Sequence, residues 1–280
     1  MLAAMKSLSP LLAVVLAAFA WAPVHAEQLP IFDVHMHYSR AAWDVVTPGQ
    51  VIAKMNKAGV SKALVSSTPD DGTLKLHAAA PQRIVAGYRP YESSGDLGGW
   101  FVKGGVLAYS AKRLAEKNIH RVFGEIHILR PDDVKTPAME GFLALAASRN
   151  LYFHTHSDAA VVRALFDKRP DLKIIWAHAG FSDPAPVVGQ MLDQHANLWA
   201  ELSYRARDIM PGDALDPDWE KVLIRHADRF VIGSDTWEVN QWHGYELLIA
   251  EHRAWLGKLP REAAEKIAHK NAERLLAAKP

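Results

Sequence analysis

The chain has 280 residues, with 32 lysines and arginines against 31 aspartates and glutamates, and it contains no cysteine. This near balance of charge argues against binding to nucleic acid or to an acidic membrane surface. The lack of cysteine excludes disulfide bonds and thiolate metal sites, so a bound metal would need histidine and carboxylate ligands.

Residues 1–26 have the pattern of a secretory signal peptide. Lys6 precedes an apolar run over residues 8–21, and small residues up to Ala26 offer a cleavage site. The run is shorter than the roughly 20 apolar residues that a membrane-spanning helix needs. We therefore expect a mature chain over residues 27–280, periplasmic or secreted, with no stable insertion in a membrane.

The mature chain alternates between short runs rich in β-branched and aromatic residues and segments of helical character. Eight such strand and helix units, in a chain close to the ~250 residues typical of the fold, predict a single-domain α/β structure, the (β/α)8 TIM barrel. The predicted strands cover residues 31–37, 63–68, 84–90, 122–128, 151–157, 174–180, 198–204 and 230–236. The predicted helices cover residues 49–58, 73–80, 106–117, 138–148, 159–168, 185–195, 219–226, 245–256 and 262–277.

Polar residues near the ends of several predicted strands indicate a metal site. Side chains alternate between the two faces of a strand, so Asp33, His35 and His37 share one face and two imidazoles converge on one point. Imidazole is a common ligand of zinc and similar ions, and the carboxyl ends of barrel strands form the active site of the fold. The later strands add Glu125 and His127, then His154 and His156, then His178, and finally Asp235.

This ordered set of residues resembles the amidohydrolase superfamily, over essentially the whole mature chain. Within it the chain is most similar to the amidohydrolase-related metal-dependent hydrolases, a branch that also contains dicarboxylate lactonases and aminocarboxymuconate semialdehyde decarboxylase. The motifs that carry the resemblance are His35-Met36-His37, a histidine ending strand 5, Ala177-His178-Ala179-Gly180, Gly233-Ser234-Asp235 and the closing Asn271-Ala272-Glu273-Arg274-Leu275.

The resemblance implies a role for each matching residue. His35, His37 and His156 would bind a divalent metal, with Zn²⁺ as the first expectation, and Asp235 would contact the metal and move a proton. His156 is preferred over His154 because members commonly have a leucine five residues before this histidine, as Leu151 is here. His178 would bind a second metal or hydrogen-bond the substrate carbonyl or the attacking water.

Strand 4 and the loops leave alternatives open. Glu125 lies in a Gly-Glu-Ile pattern that only partly resembles the TatD branch. It would either bridge two metals or, beside a single metal, contact the metal ligands from behind or face the substrate. Arginines in the loops suit a carboxylate or phosphate, and aromatic residues suit a planar ring. We expect the substrate-binding residues to include Arg89, Tyr204, Arg205 and Trp237.

These features predict an enzyme that acts on a small molecule. The expected reaction is hydrolysis of an ester, lactone, amide or phosphoester bond by metal-activated water. One alternative is a nonoxidative decarboxylase of the same superfamily, and another is an exported metal-binding protein without turnover. Strand 8 continues as Thr236-Trp237 where many relatives have Tyr-Pro, so the substrate is not predicted. The sequence is compatible with either a monomer or a homo-oligomer.

Overall fold

The computed structural model describes residues 28–277, so the predicted signal peptide lies outside the described residues. The eight strands form one parallel sheet in which each strand pairs with the next along the chain. The first and last strands meet at a backbone hydrogen bond of 2.7 Å from the amide of Val34 to the carbonyl of Ile232. The (β/α)8 barrel predicted from the sequence is confirmed.

The strands are β1 Ile31–Met36, β2 Val60–Val65, β3 Ile84–Tyr88, β4 His120–His127, β5 Tyr152–His156, β6 Ile174–Trp176, β7 Leu198–Glu201 and β8 Phe230–Val231. The helices are α1 Pro48–Ala58, α2 Asp71–Ala79, α3 Val106–Lys117, α4 Pro131–Val134, α5 Pro137–Ser148, α6 Ala159–Lys168, α7 Ala185–Gln194, α8 Ala206–Ile209, α9 Pro217–Arg225, α10 Tyr245–Leu256, α11 Arg261–Glu265 and α12 Asn271–Leu275. No helix within residues 28–277 combines the length and apolar character needed to cross a bilayer.

Local sequence sets the boundaries of several helices. The side chain of Thr47 accepts a hydrogen bond from the backbone of Gln50, whose own side chain bonds back, and this capping box starts α1. Gly59 then ends α1 in the left-handed conformation, with φ of 68°. Asp158 and Asp216 cap α6 and α9 in the same way as Thr47, each through its side-chain oxygen.

Several strands are shorter than predicted, and β6 and β8 differ most from the prediction. β6 ends at Trp176 and β8 at Val231, whereas the apolar patterns continue to residues 180 and 236. After β6 the backbone turns through left-handed conformations at His178 and Ala179, with φ of 55° and 46°. These residues are apolar or small enough to look like strand, but they form the turn at the barrel mouth.

The closing helical segment is also interrupted. A wider turn over Lys266–Lys270 separates α11 from α12, where the sequence predicts one helix. The buried side chain of Asn271 donates hydrogen bonds of 2.8 Å to the carbonyls of Ala227 and Phe230. The asparagine of the closing motif therefore attaches the last helix to the start of β8.

Candidate metal centre

The predicted metal ligands converge at the carboxyl ends of the strands. His35 and Glu125 lie within β1 and β4, and His37 follows β1 directly. His156 ends β5, while His178 and Asp235 lie in the turns after β6 and β8. Residues far apart in the chain are brought together because parallel strands of a barrel all end at the same face.

One half of the site contains two histidines and two carboxylates. The Nε2 atoms of His35 and His37 are 3.2 Å apart, and each lies 3.3 Å from Oε2 of Glu125. Oδ1 of Asp235 lies 3.4 Å from Nε2 of His35 and 3.1 Å from Nε2 of His37. These four atoms could surround one metal ion.

The other half uses the second oxygen of the same glutamate. Oε1 of Glu125 lies 3.1 Å from Nδ1 of His156 and 3.5 Å from Nε2 of His178. The two ring nitrogens are themselves 3.1 Å apart, and Oδ2 of Asp235 lies 3.7 Å from Nε2 of His178. Glu125 thus places one oxygen in each half, which is the arrangement of a carboxylate that bridges two cations.

The charges in the site are strongly coupled. Burial by itself lowers the pKa of His35, but Asp235, Glu125 and Glu201 raise it well above the ordinary value. Burial likewise opposes ionisation of Glu125 and Asp235, yet the charge of His35 and hydrogen bonds from the histidines hold both pKa values below their usual range. The buried carboxylates therefore favour a positively charged group between them, such as a metal cation.

In three of the histidines Nδ1 has a hydrogen-bond partner, which leaves Nε2 available to a metal. Nδ1 of His35 is 2.8 Å from Oε2 of Glu201, and Nδ1 of His178 is 2.8 Å from Oγ of Ser203. Nδ1 of His37 contacts the backbone carbonyl of Ser66. A neutral imidazole that donates from Nδ1 has a lone pair on Nε2, so the three rings fit a metal held by their Nε2 atoms.

A cavity of about 950 Å³ opens onto the site. Its wall includes the charged side chain of Arg89 and the partly exposed rings of Phe181, Tyr204 and Trp237. Glu125, His156, His178 and Asp235 form part of its floor. The cavity has the size and the mixed aromatic and charged lining of a small-molecule site.

Three of the predicted substrate-binding residues line this cavity and one does not. Arg89, Tyr204 and Trp237 are part of the wall. Arg205 is buried and directed elsewhere: its guanidinium donates to the carbonyls of His178 and Ala179 at 3.0 Å each, and its Nε to Asp208. Arg205 therefore supports the turn after β6 and is not placed to contact a substrate.

The remaining histidines of β4 and β5 occupy different positions. The ring of His154 lies 4.6 Å from that of His35 and is fully buried, and burial holds its pKa well below the ordinary value. The ring of His127 stacks on that of His156 at 4.4 Å, and burial lowers the pKa of His127 to about 3. Among the described residues 28–277, His156 is the histidine of β5 that belongs to a cluster of potential metal ligands.

Comparison with known families identifies the family of the chain. The model of the amidohydrolase family, described as Amidohydrolase, matches residues 32–277. The chain belongs to the amidohydrolase family. A comparison with curated protein sequences found no match.

Solved structures with the amidohydrolase fold resemble the chain at low sequence identity. A TatD homologue from Escherichia coli has a TM-score of 0.60 and 17% identity, covering 89% of this chain and 98% of its own. A probable 2-pyrone-4,6-dicarboxylic acid hydrolase from Acinetobacter baumannii has a TM-score of 0.60 and 13% identity, covering 89% and 100%. The 5-carboxyvanillate decarboxylase of Novosphingobium aromaticivorans, in complex with manganese, has a TM-score of 0.58 and 13% identity, covering 90% and 97%. At these identities the likeness shows the fold alone.

Sequence reasoning missed two residues of this amidohydrolase centre, Glu201 and Ser203. Both are buried, and both contact ring nitrogens of predicted ligands. Burial opposes ionisation of Glu201, but the neighbouring histidines lower its pKa to about 2. The available signal was a carboxylate within the predicted strand over residues 198–204, because Glu125 and Asp235 also lie within predicted strands.

Proposed function

We propose that the protein is an exported metal-dependent hydrolase that cleaves an ester, lactone, amide or phosphoester bond of a small molecule. The observation that carries the proposal is the position of Glu125, with one oxygen beside His35 and His37 and the other beside His156 and His178. Family membership supports a metal-dependent enzyme. Residues 1–26 support export, and the N-terminal mass of the secreted protein tests it.

The residues of the site can divide the chemistry between them. A divalent metal bound there would act as a Lewis acid and lower the pKa of an attacking water. Asp235 lines the cavity and is held ionised, so it can accept the proton of that water and transfer it to the leaving group.

His178 has one of two tasks, depending on the number of ions. With two metals, its Nε2 atom and Nδ1 of His156 would hold the second ion, as their 3.1 Å separation allows. With one metal, a protonated His178 would donate from Nε2 to the developing oxyanion of the substrate. Burial disfavours the protonated ring, but Glu125, Asp235 and Glu201 raise its pKa above the ordinary value.

The lining of the cavity is suited to an anionic, planar substrate. Arg89 is buried, and its Nε atom has no hydrogen-bond partner within residues 28–277. A carboxylate or phosphate could accept a hydrogen bond from this guanidinium, while Phe181 and Trp237, each more than half exposed, offer faces to a ring. The polar group and the rings lie in the same cavity, so one small molecule could use both.

A nonoxidative decarboxylase is the second candidate. The same arginine and aromatic wall would suit an aromatic carboxylic acid, and a similar fold is found in a 5-carboxyvanillate decarboxylase. Product analysis on a panel of lactones, esters and aromatic acids separates the two reactions. Release of carbon dioxide without hydrolysis would replace the hydrolase proposal with the decarboxylase.

Metal content per chain is the first experiment. Elemental analysis is done on wild type, Glu125→Ala and Glu92→Ala, all purified without chelators. Glu92 is the matched control because it is an exposed carboxylate that lines the cavity away from the ligands. We expect two ions in wild type and in Glu92→Ala, and fewer in Glu125→Ala.

The same analysis identifies the metal, for which Zn²⁺ is the expectation. One ion in all three proteins would assign the site to a mononuclear enzyme and remove the bridging role of Glu125. A wild type that holds no metal and takes up none from solution would contradict the proposed function.

A further inference from the structure

Glu201 is a fully buried carboxylate at the end of β7 and lies behind the candidate metal ligands. Its Oε2 atom accepts hydrogen bonds from Nδ1 of His35 at 2.8 Å, from Oγ of Ser203 at 2.8 Å and from the backbone amide of His178 at 3.2 Å. Oε1 accepts from the amide of Ser203. Glu201 does not line the cavity, so it is not placed to touch a substrate.

Ser203 extends the reach of this carboxylate to the ring of His178. The hydroxyl of Ser203 donates to Glu201, so its oxygen can accept the proton on Nδ1 of His178 at 2.8 Å. Both imidazoles then carry their proton on Nδ1 and present a lone pair on Nε2. Nε2 of His35 faces one half of the site, and Nε2 of His178 faces the other.

The packing around Glu201 explains the glycine of the Gly-Ser-Asp motif. A Cβ atom on Gly233 would lie 2.2 Å from Oε1 of Glu201 and 2.5 Å from Cβ of His35. Any side chain at position 233 would therefore displace the carboxylate or the histidine. The space that the glycine leaves is filled by the Glu201 and His35 pair.

We propose that Glu201 is the positioning residue of the metal centre, which orients His35 directly and His178 through Ser203. This inference rests on the proposed metal-dependent function. Hydrogen bonding of the outer ring nitrogen fixes the orientation and tautomer of a metal-binding histidine, and loss of such a partner typically lowers metal affinity by about 10–100-fold. One carboxylate here serves a histidine from each half of the site.

The test uses Glu201→Gln and Ser203→Ala, with Asp70→Asn as the matched control. Asp70 is also a buried carboxylate that contacts a histidine and an arginine, but it lies outside the site. Zn²⁺ affinity is measured by chelator competition on metal-free protein. Histidine ring-nitrogen NMR shifts of the Zn²⁺-saturated proteins report the hydrogen bonding of Nδ1 in His35 and His178.

We expect Glu201→Gln to lower Zn²⁺ affinity on the order of 10–100-fold and to change the ring-nitrogen shifts of both histidines. Ser203→Ala should change the ring-nitrogen shifts of His178 only and lower the affinity for one of the bound ions. Asp70→Asn should leave both readouts at wild-type values, even if it lowers the melting temperature.

Wild-type affinity and wild-type ring-nitrogen shifts in a folded Glu201→Gln protein would overturn the inference while leaving the proposed function intact. Failure of the wild type itself to bind Zn²⁺ or any other divalent metal would instead contradict the proposed function. If Glu201→Gln does not fold, Ser203→Ala decides, because unchanged His178 shifts in that variant would equally overturn the inference.

Discussion

Nη2 of Arg89 lies 3.1 Å from Oε2 of Glu125, the same oxygen that lies 3.3 Å from Nε2 of His35 and of His37. Both partners of this ion pair are buried. Arg89 therefore joins the candidate metal centre to the cavity wall, and its Nε atom, which has no partner within residues 28–277, could donate to a bound anion.

Replacing this arginine should separate anion binding from the reaction. We expect Arg89→Ala to raise the KM for an anionic substrate by on the order of tenfold or more, because a charge-assisted hydrogen bond is lost. The KM for a neutral analogue should change less. Steady-state kinetics on a matched pair of esters, one with and one without a carboxylate, provide the measurement.

Arg130→Ala is the control for that experiment, since Arg130 is an exposed arginine that pairs with Asp133 outside the cavity. An equal rise in KM for both esters would argue against an anion-binding role of Arg89.

Asp235→Asn should abolish turnover without unfolding the protein. Asp235 has a φ of 47°, and asparagine tolerates this left-handed conformation, so the turn after β8 should be kept. The amide cannot accept the proton of water, and we expect kcat to fall by about 10²–10⁴-fold. Kinetics and elemental analysis of the same sample test this, and wild-type kcat with normal metal content would contradict it.

Gly124→Ala should disturb the backbone that carries Glu125. Gly124 has a φ of 122°, and a Cβ atom there would lie 2.0 Å from the carbonyl oxygen of His154. We expect a loss of unfolding free energy of at least about 1–3 kcal/mol, measured by urea titration. Gly98→Ala is the matched control, because a Cβ at Gly98 meets no atom within 4 Å. Equal stability of the two variants would show that β4 adapts to the added methyl group.

His252 should contribute to loss of stability in acid. Its Nε2 atom is 2.9 Å from the carbonyl of Gly233, and burial lowers its pKa below the ordinary value of 6.5. The unfolded chain then binds more protons than the folded one at this residue once the pH falls below about 6.5, so stability is lost as the pH decreases through that window.

His252→Gln removes the titrating group and keeps a donor for Gly233. We expect the free energy of unfolding of this variant to fall less than that of wild type between about pH 6.5 and pH 5, as measured by urea titration. Parallel curves for the two proteins would assign the acid sensitivity to other groups.

The sequence was informative about the elements and the ligand types. Strand and helix patterns are local, so their alternation predicted the barrel, and the position of each polar residue near a strand end predicted where His35, His37, His178 and Asp235 would meet. Ends of elements were less predictable. The residues after β6 and β8 have strand-like composition, yet the backbone adopts left-handed conformations at His178 and Asp235, with φ of 55° and 47°.

Tertiary structure decided the contacts between these elements. The sequence left Glu125 either between two metals or beside one, and only the assembled barrel places its two oxygens against different histidine pairs. The tertiary structure also points Arg205 away from the cavity and places Glu201 behind His35. Such outcomes depend on the register of strands distant in the chain. The local sequence around a buried glutamate or arginine does not indicate which residue that side chain will contact.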